Sequence, residues 1–455
     1  MTGWDAAVQR LADGQATLLG LWGEPGVVHL ATLEGDALVH LTRASPYPAV
    51  SARHPPALRP ERAARDLYGL DPEGLPDSRP WLIHGETPTA YKFLPVEGEG
   101  LHQIPVGPVH AGIIEPGHFR FTCDGETVVR LEQRLGYTHK GVEALLAGAP
   151  IDRAARLAGR ISGDSTVAYA LAFALAVERA AGISIPPRAV WLRALAAEME
   201  RVANHLGDVG AVCNDAAFGL MHAHCAALRE EVLREAASCC GHRLMMDWVV
   251  PGGMAADLPA AAPARLLRLT AELERRFRRL VRLYDGTVSL QDRTVGTGTV
   301  APALAARFGA GGFVGRASGR AFDARRSPGY APYDTLGLTV PTRAEGDVNA
   351  RVWIRIEEIF ASLGLIADIL DRVPDGPVRC SLPAAAGEGM ALVEGFRGDI
   401  LAWVRLDGTA VARAHLRDPS WFQWPLLEAA IEGNIVADFP LCNKSFNCSY
   451  SGHDL

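Results

Sequence analysis

A short polar stretch before an apolar helix has the spacing of a metal site without its ligands. Ser162-Gly163-Asp164-Ser165 is followed four residues later by Tyr169. This reproduces the pattern C-x-x-C-x-x-x-H, in which thiolates and an imidazole bind a soft metal, but hydroxyl groups stand at all three ligand positions. Two interpretations follow. The stretch is an ordinary helix start whose serines accept free N–H groups, or it is a metal site that has lost its metal.

Composition narrows the class of protein. None of the eight cysteines belongs to a C-x-x-C pair, so the usual thiolate frame for a cluster is missing, and we expect no metal bound by this chain. The net charge of −7 argues against a nucleic-acid partner. The N-terminus has no signal-peptide pattern, and the longest apolar run is too short to cross a bilayer, so we expect a cytosolic chain with no transmembrane segment.

Hydrophobic periodicity divides the chain into a mixed block and a helical block. Near the N-terminus, "VVHLATLEGDALVHLT" predicts a β-hairpin and "PERAARDLYGL" a short helix. A Pro/Gly-rich segment follows. The pattern in residues 105–135 then predicts strands that turn at Asp124-Gly125. Apolar residues spaced three and four apart then predict long helices at 165–182, 188–212, 215–242, 262–286 and 349–372. Charged residues between 343 and 355 are expected to pair with one another or to face a partner.

Several motifs together resemble one family. They are "PVGPVHAGIIEPGHFRF", "EMERVANHLGDVGAVCNDAAF", "EGDVNARVWIRIEEI" and "RDPSWFQWPLL". They resemble the large subunits of energy-converting (group 4) nickel–iron hydrogenases and the homologous 49-kDa subunit of respiratory complex I. "RDLYGL" is similar to the 30-kDa subunit beside it. The resemblance implies an α+β fold. Residues 1–85 form a small α/β domain of the 30-kDa type, 86–104 a linker, and 105–455 a mainly α-helical hydrogenase-like domain with β decoration, fused as in hydrogenase-3 and hydrogenase-4 type subunits.

The resemblance also says where the metal ligands stand in the hydrogenases. Their two thiolate pairs correspond here to Ser162 and Ser165, and near the C-terminus to Ser449 and Gly452; Tyr169 takes the place of the histidine. If the C-terminal match is shifted by one residue, Cys448 is the one thiol that could serve. Serine hydroxyls are poor ligands for soft, low-valent nickel. We therefore expect a vestigial site that lines a cavity and holds no nickel–iron centre. We also expect its serines to have become a polar helix cap.

The complex I side of the resemblance implies a proton-donor pair. His110, in "GPVHAG", stands at the family's quinone-site histidine, and Asp215 at its aspartate. A histidine whose tautomer and pKa are set by a carboxylate can protonate a reduced oxygen. The alternatives are a tight turn at His110 and a helix N-cap at Asp215. Glu115 is either a proton relay or a turn residue beside Pro116-Gly117. The quinone-site tyrosine has only Tyr169 as a loose substitute.

The function implied is that of a large subunit in a membrane-associated, hydrogenase-related complex. It would pass electrons from a 4Fe–4S cluster in a small iron–sulfur partner subunit to a quinone or another acceptor. It would lie on the cytoplasmic face of the membrane, against antiporter-like membrane subunits, and hold no cofactor of its own. The alternative is a redox-silent structural subunit that transmits conformation within such a complex. A hydrophobic tunnel from the surface to His110 favours the first, and a pocket filled by side chains favours the second.

Overall fold

Helices and antiparallel sheets both build the core, as expected for an α+β protein. The computed structural model describes residues 3–82, 91–110 and 114–455. The helices of these residues are α1 (Gly3–Ala12), α2 (Leu58–Tyr68), α3 (Val142–Leu146), α4 (Ile151–Ala158), α5 (Thr166–Ala181), α6 (Pro187–Asp215), α7 (Gly219–Cys240), α8 (Ala262–Gly286), α9 (Val288–Thr294), α10 (Pro302–Arg307), α11 (Gly312–Ala317), α12 (Val348–Arg372), α13 (Ser420–Ile431), α14 (Phe439–Phe446) and α15 (Tyr450–Asp454).

The strands form two three-stranded meanders, a four-stranded sheet and two short pairs. They are β1 (Thr17–Glu24), β2 (Val27–Glu34), β3 (Ala37–Ala44), β4 (Tyr47–Pro48), β5 (Pro72–Glu73), β6 (Leu101–Val106), β7 (His118–Asp124), β8 (Thr127–Arg134), β9 (Ala149–Pro150), β10 (Val249–Val250), β11 (Gly253–Met254), β12 (Ala385–Glu394), β13 (Asp399–Gly408) and β14 (Ala410–Arg417). The predicted hairpin is β2–β3, and the predicted turn at Asp124-Gly125 joins β7 to β8.

The five predicted long helices are α5, α6, α7, α8 and α12, each within a few residues of its expected bounds. α6 lies at their centre and packs against α7, α12 and α14. Among the described residues, no helix is long and apolar enough to span a membrane.

The C-terminal sheet is a core layer rather than decoration. Its order is β12-β13-β14-β9, and α5 packs across β12 and β13. The approach is so close that a Cβ at Gly389 would lie 2.0 Å from the Ala176 carbonyl oxygen, and one at Gly387 2.5 Å from that of Ala180. Only glycine allows the helix to sit this near the strand. The buried helix after the serine stretch is therefore held rigidly by the sheet.

The N-terminal meander packs onto the same C-terminal sheet. Leu19 and Trp22 of β1 share a buried apolar cluster with Leu401 and Trp403 of β13. The Arg417 guanidinium donates to the Leu19 carbonyl across this contact. The predicted linker at 86–104 is partly structured, because β6 begins at Leu101 and pairs with β7; residues 83–90 lie outside the described part of the chain.

The charged segment at 343–355 does not pair with itself as expected. Asp347 caps α12 by accepting from the Ala350 N–H at 2.7 Å. Arg351 and Arg355 are fully buried, and Arg355 donates to Asp208 of α6 at 3.0 Å. These charges tie α12 to other elements of the core, which the sequence spacing alone could not show.

Candidate active-site cavity

A cavity of about 760 Å³ opens where the loops between β6 and β7, before α5, after α6 and between α14 and α15 meet. Its wall is largely polar, and the residues that line it are His110, Ile114, Glu115, Ser162, Asp164, Asn214, Asp215, Arg397, Pro440, Asn443, Lys444, Asn447, Cys448, Ser449 and Tyr450. The cavity therefore brings together five predicted site residues, which are His110, Asp215, Glu115, Ser162 and Ser449.

Of the predicted vestigial positions, Ser162 and Ser449 lie in this wall, whereas Ser165 and Gly452, contrary to the expectation, are not among the residues that line the cavity. The hydroxyls of Ser162 and Ser449 are 3.0 Å apart and hydrogen-bonded, although 287 residues separate them. The Ser449 hydroxyl also accepts from the Gly452 N–H at 2.9 Å. Ser165 joins through the Arg397 guanidinium, which donates to its hydroxyl at 3.0 Å. We call Ser162, Ser165, Ser449 and Gly452 the serine corner.

The serine corner does not fit a nickel–iron group. Its donors are three hydroxyls and no thiolate, and hydroxyls bind soft, low-valent metals poorly. Gly452 offers no side chain, and a Cβ added there would lie 2.5 Å from Asp418 Oδ2. Elsewhere in the described ranges, too, no group of three or more His, Cys, Asp or Glu side chains is arranged to hold a metal ion.

Tyr169 lies behind the wall. It is fully buried and donates to Asp418 Oδ2 at 2.6 Å. Burial, followed by the Asp418 carboxylate, raises the pKa of the Tyr169 hydroxyl well above its usual value. The tyrosine therefore stays protonated and holds Asp418 beside Gly452, and it does not reach the cavity.

An ion pair bridges the serine corner. Both terminal nitrogens of Arg397 donate to the Asp164 carboxylate, one of them at 2.9 Å to Oδ1. The hydroxyl of Ser162 donates to the same carboxylate at 2.8 Å. Burial raises the pKa of Asp164, but Arg397 and the serine hydroxyls outweigh it, so the pKa lies below its ordinary value. Asp164 is therefore ionised at neutral pH, and a charged pair occupies the corner.

The serines do not cap α5, contrary to the expectation. Neither Ser162 nor Ser165 accepts from the free N–H groups of the helix. Instead the Glu200 carboxylate of α6 accepts from Val167 N at 2.7 Å and from Ala168 N at 3.1 Å. The cap comes from a neighbouring helix because the serine hydroxyls are already committed to Asp164, Arg397 and each other.

His110 has a defined tautomer. Its Nε2 lies 2.7 Å from the Gly117 carbonyl oxygen, which can only accept, so Nε2 carries the proton. The ring packs against Phe119, with centroids 5.5 Å apart. Nδ1 is then the nitrogen that can accept or return a proton, while the turn around Gly117 holds the ring in place.

Asp215 is the last residue of α6, not the N-cap of the following helix. Burial raises the pKa of its carboxyl, and the neighbouring Lys444 and Asn214 partly oppose that shift. Within the described residues, no hydrogen bond or ion pair joins Asp215 to His110, although both line the same cavity. Their action as a pair, through a bound molecule or water, stays a prediction.

Glu115 has a structural role that the sequence did not indicate. Its Oε2 accepts from the Ser451 N–H at 3.0 Å, in the first turn of α15. It therefore ties the loop before β7 to the segment that carries Ser449 and Gly452. Glu115 also lines the cavity, so the predicted relay role stays untested beside this anchoring contact.

Sequence reasoning did not identify the Arg397–Asp164 ion pair or the cap that Glu200 provides. The ion pair joins residues 233 positions apart, and no local spacing indicates such a contact. Glu200 carried a weak signal, since the helical segment "EMERVANHLGD" places acidic and basic residues in a stretch that is otherwise apolar. Charges inside a buried helix need partners, and that requirement could have marked the segment as a site.

Comparison with known proteins shows the family to which the chain belongs. Residues 217–385 match the family described as "Respiratory-chain NADH dehydrogenase, 49 Kd subunit". Formate hydrogenlyase subunit 5 of Escherichia coli is 31% identical over 438 residues, which cover 90% of this chain and 77% of that protein. A subunit of the NADH-quinone oxidoreductase of Salinispora arenicola is 36% identical over 346 residues, covering 74% of this chain and 89% of the relative.

A solved structure is also similar. A chain of the membrane-bound sulfane sulfur reductase, an archaeal respiratory membrane complex, superimposes with a TM-score of 0.74 at 27% identity. The match covers 80% of this chain and 100% of that chain. The likeness therefore extends through most of the fold.

Proposed function

Because the chain belongs to the family that unites the 49-kDa subunit of complex I with the large subunits of membrane-bound hydrogenases, we propose that it is the acceptor-binding subunit of such a complex and lacks a nickel–iron centre. Electrons from a 4Fe–4S cluster in a small iron–sulfur partner subunit pass to an acceptor in the cavity, and the cavity wall supplies protons. The chain itself holds no cofactor.

One observation carries this proposal. The positions at which the family's hydrogenases have thiolates converge in space, yet they bear hydroxyls, a glycine and a bridging ion pair. An open cavity of about 760 Å³ lies beside these positions. Most of its lining residues are polar, so it is not the hydrophobic tunnel expected from the sequence. It is nevertheless open and not filled by side chains, and this favours the acceptor-binding function over the redox-silent alternative.

The wall suits an acceptor that gains both electrons and protons, such as a quinone. Reduction of a quinone to a quinol takes up two electrons and two protons. His110 offers a nitrogen that can carry a proton, and Lys444 and Arg397 stabilise negative charge that develops on an acceptor oxygen. The polar lining fits a polar head group, while Ile114, Pro440 and Tyr450 offer the apolar contact.

The N-terminal segment is part of the proposal. The match to formate hydrogenlyase subunit 5 covers 90% of this chain, whereas the match to the Salinispora oxidoreductase covers 74%. The difference supports residues 1–85 as a fused domain of the 30-kDa type, followed by a linker and the hydrogenase-like domain. We place the assembled chain on the cytoplasmic face of the membrane, against antiporter-like membrane subunits.

Elemental analysis and a hydrogen assay test the proposal. The purified complex should contain no stoichiometric nickel and should evolve no hydrogen from reduced viologen, with an active hydrogenase of the same family as the positive control. It should also co-purify with a small iron–sulfur protein and reduce a soluble quinone. Nickel near one atom per chain would overturn the metal-free site. Failure to reduce any quinone in an intact, cluster-loaded complex would favour the redox-silent function.

A further inference from the structure

A second ionic assembly lies deep in the core, apart from the cavity wall. It joins α6, α11, α12, β12 and the loop after α11. We call it the core cluster, and its charged members, all at most 4% exposed, are Glu198, Arg201, Arg316, Asp323, Arg325, Glu358 and Glu394. His205 adjoins it, with Nε2 2.7 Å from Glu358 Oε2. The proposed function assigns no role to any of these side chains.

The charges of the core cluster do not balance. Three guanidinium groups, of Arg201, Arg316 and Arg325, pair with its four carboxyl groups. If every carboxyl were ionised, one uncompensated negative charge would lie in a region that water does not reach. An isolated buried charge is so costly that the group takes up a proton instead. Among these seven side chains, the count therefore favours one bound proton.

Glu394 is the carboxyl with the least compensation. It receives one guanidinium contact, from Arg316 at 2.9 Å, and one backbone donor, Ala324 N at 2.9 Å. Arg316 is itself shared with Glu358 and Asp323. The other three carboxyls are each contacted by two guanidiniums, and Glu198 gains hydroxyl donors from Tyr333 and Ser362 at 2.6 Å.

His205 is a poorer place for the proton. Its Nε2–H donates to Glu358, and its buried Nδ1 has no hydrogen-bond partner among the residues that the structure describes. A protonated ring would bury an unsatisfied N–H donor at Nδ1, which costs free energy. Burial accordingly lowers the pKa of His205.

Further groups face Glu394 from the elements around it. The Tyr330 hydroxyl lies 3.3 Å from the Glu394 backbone nitrogen, and Arg201 donates to the Glu394 carbonyl oxygen at 2.9 Å. Arg320 is a further cation nearby, but its hydrogen bonds go to the Ala310 carbonyl and the Thr17 hydroxyl. Asp399 adds negative charge nearby, and it is itself paired with Arg417.

The core cluster is linked to the cavity by a short chain of contacts. Glu358 is one helical turn from Arg355 on α12, and Arg355 donates to Asp208 Oδ2 at 3.0 Å. Asp208 Oδ1 accepts from the Asn447 side chain at 2.8 Å, and Asn447 lines the cavity. Charges in the protein interior are screened less than charges in water. A change of charge in the cavity therefore alters the electrostatic potential at the core cluster.

We infer that the core cluster is a proton-binding site centred on Glu394, which holds one proton per chain and exchanges it when the charge in the cavity changes. The link to the cavity rests on the proposed function, whereas the proton site itself does not. Burial and the neighbouring Asp323 carboxylate raise the pKa of Glu394 to about 7, where small changes in potential change its occupancy.

Infrared difference spectroscopy of the purified complex tests the inference without any acceptor chemistry. A pH titration should show the C=O stretching band of a protonated carboxylic acid, lost with a midpoint near pH 7. The buried Glu200 carboxyl, whose pKa burial raises to about 8, should give a second band that is lost near pH 8. Glu394→Gln should remove the band with the midpoint near pH 7 and keep the fold, because glutamine retains the shape and an acceptor oxygen, whereas Glu200→Gln should remove only the second band. Glu126→Gln, at an exposed position in the turn between β7 and β8, is the matched control and should leave both bands in place.

A second variant tests the link to the cavity. Lys444→Met removes a positive charge from the cavity wall, and it should move the midpoint of the pH 7 band to higher pH. A pH 7 band that is absent in the wild type, or that survives in Glu394→Gln, would overturn the proton site. A pH 7 band that disappears in Glu394→Gln but keeps its midpoint in Lys444→Met would overturn the link alone. None of these outcomes depends on whether the complex reduces a quinone.

Discussion

The Arg397–Asp164 pair at the serine corner and the core cluster both join arginines to carboxylates, but they balance their charges differently. At the serine corner one guanidinium meets one carboxylate, and the Asp164 side chain keeps 34% of its exposure, so cavity water can replace a lost partner. In the core cluster three guanidiniums share four carboxyls, and Glu394 is only 1% exposed.

The difference separates two roles for charge. A balanced pair at a cavity wall can be rearranged by a bound molecule at modest cost, since water stabilises the separated charges. An unbalanced cluster in the core can respond only by gaining or losing a proton. The cavity wall is therefore suited to proton transfer to an acceptor, and the core cluster to holding a proton. Substitutions in the wall should mainly affect activity, and substitutions in the cluster should mainly affect stability.

The largest expected effect is on activity, at the cavity wall. His110→Ala should abolish acceptor reduction by the purified complex, because it removes the nitrogen proposed to deliver a proton, while assembly and unfolding stay unchanged. Asp215→Asn should be milder. The exposed His102→Ala, on β6, is the matched control and should keep full activity. Normal turnover in His110→Ala would show that His110 does not deliver a proton during acceptor reduction.

Removing one arginine from each region should separate them by stability. Arg316→Met leaves Glu358, Asp323 and Glu394 undercompensated and should cost roughly 3–5 kcal/mol of unfolding free energy in urea denaturation. Arg397→Met should cost about 1–3 kcal/mol, since water reaches Asp164. The exposed pair Arg234–Glu230 provides a control, with Arg234→Met costing about 0.5 kcal/mol or less. Equal costs for Arg316 and Arg397 would contradict the comparison.

The two regions should also respond to pH in opposite directions. The pKa of Glu394 is raised from 4.5 to about 7, so its contribution to stability is complete below pH 4.5 and is lost as the pH rises through 7. The loss should be about 3 kcal/mol, given about 1.4 kcal/mol per pKa unit. The lowered pKa of Asp164 places its contribution above pH 3.8, to be lost only as the pH falls further.

Urea denaturation as a function of pH checks this sign. Between pH 4.5 and 7 the wild type should lose stability, and Asp164→Asn should leave the slope unchanged. Glu394→Gln should reduce the slope, and the part that remains should decrease further when Glu200→Gln is added, because burial raises the pKa of Glu200 to about 8. A slope in Glu394→Gln equal to that of the wild type would assign the proton to another group.

The sequence was a good guide to long helices and to positions named by resemblance. The five long helices were predicted because apolar residues recur at helical spacing, and the meeting of Ser162 with Ser449 followed from the family's motif. The C-terminal sheet was underrated, because the strand that contains "ILAWV" is buried on both faces and has no alternating pattern. Arg397–Asp164 and the Glu200 cap depend on contacts between distant segments, which a single sequence does not reveal.

The Arg397–Asp164 pair has a consequence for the history of the site. It holds the start of α5 to the loop after β12, next to the hydroxyls of Ser162 and Ser449. On the proposed function, a chain that gained thiolates one at a time would meet this charged pair and, at position 452, the Asp418 carboxylate. Each single substitution would disturb the pair without completing a set of metal ligands. The proposed metal-free state is therefore expected to be hard to reverse by single substitutions.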